Sequence, residues 1–173
     1  MTSMIKFFVL GLFICSNSIN DRMAKMIQKE VEKTFEIESF DTAPILLSEE
    51  FNVETPIKVD GTNFVSIKNN EELIGYYYVG KGFGKADYFD FIVIFNPELI
   101  VAKVKVLVYR EDHGGEIGSK RWLKQFEGKT SEEALNYNNI VAISGATLSA
   151  RSITEEMNKA MKTIAILKEN NQL

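Results

Sequence analysis

The sequence predicts an α+β fold: one domain with a mostly antiparallel sheet and helices packed on one face. Three observations lead there. Runs rich in β-branched and aromatic residues cluster between positions 64 and 109, the connections between them are short, and apolar stripes of helical period lie at either end. A length of 173 residues suits a single domain that buries roughly two-thirds of its unfolded surface.

Element by element, the chain opens on Lys6, an apolar run from Phe7 to Cys15, and a small polar Ser16-Asn17-Ser18 end. Nine residues are too few to cross a hydrocarbon core of about 30 Å as a helix. The pattern is that of a secretory signal over residues 1–18, against a buried first helix or strand of the fold. Leu12-Phe13-Ile14-Cys15 has the Leu of a lipoprotein signal but Ile14 where a small residue is normally needed, so membrane attachment would require lipid on Cys15. Cleavage at Ser18 leaves a mature chain without cysteine, which suits export.

Met23, Met26, Ile27, Val31 and Phe35 recur at spacings of three and four, predicting a helix over 21–35. Pro44, Pro56 and Asp60-Gly61 break any long element in 36–63. Strands are expected at 64–68, 73–79, 88–95 and 100–109, the last two joined by a tight hairpin at Asn96-Pro97-Glu98. In the last strand Lys103 and Lys105 alternate with Val104, Val106 and Val108, predicting one wet face and one buried face. Short helices are expected at 119–126 and 131–135. A longer one is expected at 149–167, with Ile153, Met157, Ala160, Met161 and Ile164 on its core side.

Composition narrows the chemistry. Net charge is −4, which lacks the basic footprint of a duplex nucleic-acid binder. One Cys and one His exclude an internal disulfide, c-type haem attachment and any zinc site built on clustered Cys or His. No metal ligand and no catalytic residue is assigned.

Three stretches remain as candidate sites. Gly80 to Ala86 is glycine-rich, but its spacing and the Ala after Lys85 miss the phosphate loop, and it leads into a strand rather than a helix. A flexible hairpin connection accounts for it. Around His113, Glu111 and Asp112 could suggest acid–base work, but no nucleophile or second base is implied nearby and the stretch reads as a solvated turn after a strand. Gly114, Gly115 and Gly118 would let backbone lie flat against a planar ligand, with Trp122 offering an aromatic face. The third stretch, Ser144-Gly145-Ala146-Thr147-Leu148-Ser149, places hydroxyls at a helix start. There, free N–H groups make an anion site, or Thr147 or Ser149 simply caps the helix. Arg151 would add charge.

Residues 144–149 resemble the Ser/Thr-Gly-Ala-Thr-x-Ser/Thr signature of the FMN-binding domain family. That family includes a flavin-bearing component of the sodium-translocating NADH:quinone reductase and its counterpart in the related ferredoxin-oxidising electron-transport complex. Gly114 to Gly118 and Trp122 to Lys129 are similar to two further segments of the family, and the likeness spans about residues 70–165. Where the family usually has Asp, three residues before the motif, this chain has Val141; it also lacks the long membrane helix of those two components. The resemblance implies FMN, joined to Thr147 through a phosphoester by a flavin transferase that uses FAD. It implies contacts from Ser144, Gly145, Ala146, Leu148, Ser149, Gly115, Glu116, Ile117, Gly118 and Trp122. It divides the chain into a signal peptide at 1–18, an N-terminal helix and irregular segment at 19–69, and the FMN-binding domain at 70–173. The expected role is electron transfer between membrane or periplasmic donor and acceptor proteins. A small exported reductase and a flavin-free binding module are the alternatives.

Overall fold

In the computed structural model, residues 17–136 and 139–173 are described. Helix α1 (Asn17–Phe35) leads through β1 (Asp41–Pro44) and the one-turn helix α2 (Glu49–Asn52) to β2 (Phe64–Asn69), β3 (Glu72–Phe83), β4 (Tyr88–Phe95) and β5 (Val101–Val108). After a 3-10 turn (Gly115–Gly118) come the short α3 (Lys120–Leu123), a second 3-10 turn (Lys124–Phe126), and the closing helix α4 (Thr147–Glu169). The five strands form one antiparallel meander in the order β1-β2-β3-β4-β5. The α+β class and the antiparallel sheet are therefore as expected. The signal-peptide expectation falls on residues outside those described, except for Asn17 and Ser18, which begin α1. No helix among the described residues is long and apolar enough to cross a membrane.

Helices cover both faces of the sheet rather than one. On the first face α4 lays Ile153, Met157, Ala160, Met161 and Ile164 against Phe64, Tyr78, Phe89, Phe91, Val93 and Phe95. On the second, α1 lays Met23, Met26, Ile27, Val31 and Phe35 against Ile67, Ile92, Ile94 and Leu107. Interior strand β4 is consequently buried along almost its whole length, which is why Phe89 to Phe95 reads as an almost unbroken apolar run.

The face of β5 expected to be wet is the one that α1 covers. Lys105 reaches across to the carboxylate of Glu30, which is 5% exposed, and Lys103 pairs with Glu127 at 2.7 Å. Lysine stems lie along apolar surface while their ammonium groups find counter-ions, so the alternation hides a second interface.

Gly80 and Gly82, expected in a hairpin connection, lie inside β3, directly opposite Phe91 and Phe89. A Cβ at either position would run into those rings, so glycine makes room for the aromatic layer beneath α4. The real turn is Gly84 to Asp87. Residues 131–135 form turns rather than a helix, because the Asn158 side chain of α4 takes both the N–H and the C=O of Leu135, each at 2.8 Å.

Candidate functional site

The start of α4 lies beside two parts of the chain far from it in sequence. One is the β3–β4 turn at 84–87; the other is the segment that leaves β5 through Tyr109, Glu111 and His113. Together they enclose a cavity of about 260 Å³ lined by Lys85, Tyr109, Glu111, His113, Gly114 and residues 145–149. A larger groove of about 750 Å³ lies near Lys81, Asp90 and Arg110 and shares no lining residue with it. The smaller cavity is the candidate site because it gathers an exposed hydroxyl, a helix N-terminus and a cation.

The N-cap position of α4 is Ala146, with no side-chain cap, not Thr147 or Ser149 as the capping reading would have it. The first helical bond runs from Ala150 N–H to Ala146 C=O at 2.9 Å. The N–H groups of the first turn are therefore left without a side-chain cap at the cavity, the usual arrangement of an anion site. Thr147, the first residue of the helix, is exposed and lines that cavity.

Ser149 is differently placed. It is buried, and its Oγ lies 3.3 Å from Tyr109 Oη, which itself donates to His113 C=O at 2.9 Å. A phenol has one proton to give, so the Ser149 hydroxyl donates to Tyr109 and is not free to donate to a ligand. This bond ties α4 to the end of β5.

The carboxylate of Glu111 accepts from the N–H groups of Ala86 and Asp87 at 3.0 and 3.1 Å, which holds it below the ordinary glutamate range. It is thus engaged as a structural acceptor, and among the described residues nothing joins it to His113 as an acid–base pair.

Gly114 and Gly145 both have left-handed backbone, φ 84° and 83°, and face one another across the cavity edge. A Cβ at Gly114 would stand 2.5 Å from Tyr109 Oη and 3.5 Å from Gly145 O. A Cβ at Gly145 would lie 3.7 Å from Glu116 Oε2, so the Glu116 carboxylate borders the site. Gly115 and Gly118 face open space.

Not every expected residue lines the cavity. Gly145, Ala146, Thr147, Leu148 and Ser149 do; Ser144 sits in the turn just before it. Ile117 is fully buried in the core, and Trp122 is 7% exposed, packed edge-on against Phe126 at 5.3 Å. Trp122 therefore offers no open face to a ligand. Its Nε1 donates to Val141 C=O at 2.7 Å, while Gln125 Oε1 accepts from Val141 N–H at 2.7 Å. The two side chains clamp the stretch of chain that enters the motif. Arg151 pairs with Glu155 at 3.4 Å on exposed α4, outside the lining. Lys85, Tyr109 and Glu111 were not among the expected contacts. No local pattern marks them, because only the folded sheet brings the β3–β4 turn and the end of β5 to α4.

Residues 84–162 match the model of the FMN-binding domain family. The crystal structure of NqrC from Shewanella oneidensis has the same fold: TM-score 0.56 at 16% identity, over 80% of this chain and 91% of that one. None of the curated proteins compared with the chain matches it. The matched segment runs from the β3–β4 turn into α4 and contains every residue lining the cavity. An uncapped helix start and an exposed hydroxyl beside Lys85 fit the charge of a phosphate group such as that of FMN.

Proposed function

We propose that this chain, which carries an FMN-binding domain with FMN as its cofactor, is an exported electron carrier holding the flavin through a phosphoester to Thr147. The observation that carries this reading is the exposed Thr147 on the first residue of α4, at a helix start with no side-chain cap. Attachment is a transfer reaction: the Thr147 Oγ1–P bond forms, the pyrophosphate bond of FAD breaks, AMP leaves, and the hydroxyl proton passes to solvent. A flavin transferase outside the cytoplasm supplies the FAD and the catalysis.

The chain's own residues then have separable tasks. First-turn N–H groups of α4 bind the remaining negative charge of the phosphodiester. Gly114 and Gly145 leave a backbone wall without side chains, against which a planar ring can approach closely. Glu116 sets a negative charge beside that wall and disfavours anionic reduced flavin, which lowers the potential. Tyr109 and Ser149 keep the wall and the helix start together. When bound, FMN supplies one- and two-electron redox chemistry.

Export rests on the sequence of residues 1–18, and a covalent link suits a compartment without a supply of free FMN. The partners are a donor and an acceptor of the cell envelope, with membrane attachment only through a lipid on Cys15. The test is the spectrum of the full chain purified from a host that contains the transferase. The expected result is flavin absorption that bleaches with dithionite and returns on oxidation, without steady turnover of a small molecule. Steady turnover would favour the reductase, and a folded, colourless protein would favour the flavin-free module.

A further inference from the structure

The glycine-rich stretch from Gly80 to Ala86 misses every phosphate-loop pattern in sequence, yet its turn holds an anion in the fold. Gly84 N–H closes the turn on Asp87 C=O at 2.9 Å, and the next amides, of Ala86 and Asp87, converge on the Glu111 carboxylate. Successive backbone N–H groups aimed at one anion form a nest. Gly84 is buried at the meeting point. A Cβ there would collide with Glu111 Oε1 and stand 3.2 Å from Ser149 Oγ, so the turn, the end of β5 and the start of α4 touch where only glycine has room.

This junction fixes where Lys85 goes. Lys85 is exposed and lines the same 260 Å³ cavity as Thr147. It closes no ion pair among the described residues, whereas Lys103, Lys105, Arg110, Lys129, Arg151 and Lys159 all do. Arg151, the cation nearest to Thr147 in sequence, is turned to Glu155 instead.

We infer that Lys85 is the cation that holds the phosphate on Thr147, with Glu111 as the positioning residue that fixes its turn. The inference rests on Thr147 being the attachment site. Lys85 and Glu111 attract one another through space, but the Glu111 carboxylate takes its hydrogen bonds from the amides of Ala86 and Asp87 and closes no ion pair with Lys85, which lines the cavity. The Lys85–phosphate attraction is solvent-exposed and so weakens with salt.

Glu111 adds a pH signature. Its carboxyl is held below the ordinary range in the folded chain, so its bonds to Ala86 and Asp87 are complete above about pH 5 and are lost as pH falls through the depressed folded value. Below that point the turn loses its carboxylate anchor and is held by the Gly84–Asp87 backbone bond, so Lys85 is less firmly placed.

The test is the ³¹P spectrum of full-length chain loaded by co-expression with a flavin transferase. In wild type the native resonance is expected to differ from that of the denatured chain, to move toward it with added NaCl, and to move toward it again as Glu111 protonates. K85M should lie closer than wild type to the denatured position and respond less to salt, the N–H groups of α4 still holding the phosphate, and K85R should restore the native position. E111Q should lose the acid-dependent movement. K85M that takes up no FMN while K85R does also supports the inference, since the charge is then needed at attachment. A K85M resonance identical to wild type in position and salt response overturns it while leaving Thr147 in place. A wild-type chain that gains no FMN overturns the Thr147 reading, and this inference with it.

Discussion

Thr147 and Ser149 stand two residues apart in one motif and do different work. Thr147 is exposed at the cavity, while Ser149 is buried and gives its proton to Tyr109. A sequence shows that both carry hydroxyls near a helix start, but not which one the fold uses up. That depends on Tyr109, forty positions before Ser149. The same limit applies to Trp122: its place just after the glycines at 114–118 suggests an aromatic face for a ligand, whereas the fold turns the ring into the core and uses its N–H to hold Val141. Two predictions belong at this scale. Val141 is 71% exposed with its backbone clamped on both sides, so Val141→Asp places the acid of the resembling signature there at no packing cost. The fraction of chain carrying FMN after a limited co-expression, read by mass, should rise. Glu116→Gln removes the negative charge beside Gly145 and should raise the flavin midpoint potential. The rise should be about 5–20 mV, from roughly 0.2–1 kcal/mol for an exposed charge pair and about 30 mV per 1.4 kcal/mol. A potentiometric titration of both proteins checks it.

Long elements were legible because their periodicity is enforced by burial. The stripe from Met23 to Phe35 and that from Ile153 to Ile164 are the two core-facing surfaces of α1 and α4. Lys103 and Lys105 misled because alternation reports the chemistry of a face and not whether something covers it. The covering element, α1, brings its own counter-ion in Glu30. The arrangement is asymmetric: the Glu30 side chain is 7% exposed and that of Lys105 39%. Lys105→Met strands a buried carboxylate and should cost about 1–3 kcal/mol, whereas Glu30→Gln leaves Lys105 free to reach water and should cost less. Urea denaturation of the two variants decides the order. Gly80 and Gly82 hid inside a strand for a similar reason. Glycine usually marks a break, but here it lies opposite Phe91 and Phe89 and admits their rings. The turns at 131–135 were illegible because an acidic start near Ser131 promises a helix, while Asn158 from α4 claims the Leu135 backbone.

At the scale of the molecule, α1 and α4 seal opposite faces of one meander, and the cleft proposed for FMN lies where the β3–β4 turn, the end of β5 and α4 meet. The family match begins at residue 84, but the sheet it relies on begins at β1, so the earlier strands and α1 belong to the same cooperative body. Native-state hydrogen exchange should therefore show the amides around Val31 opening with those of β4 in a single global event, not as a separately fraying helix. The fold class was readable from runs and periods because those are local. The cleft was readable only through its motif, since its other walls are assembled by topology. Flavin attachment at Thr147 is the point on which the proposed function turns. It is reached most directly by the intact mass of denatured full-length chain from a host with a flavin transferase, beside Thr147→Ala. The wild-type chain should gain the mass of FMN less one water, and the variant should gain nothing. A wild-type chain without that gain, or a variant that keeps it, would contradict attachment at Thr147.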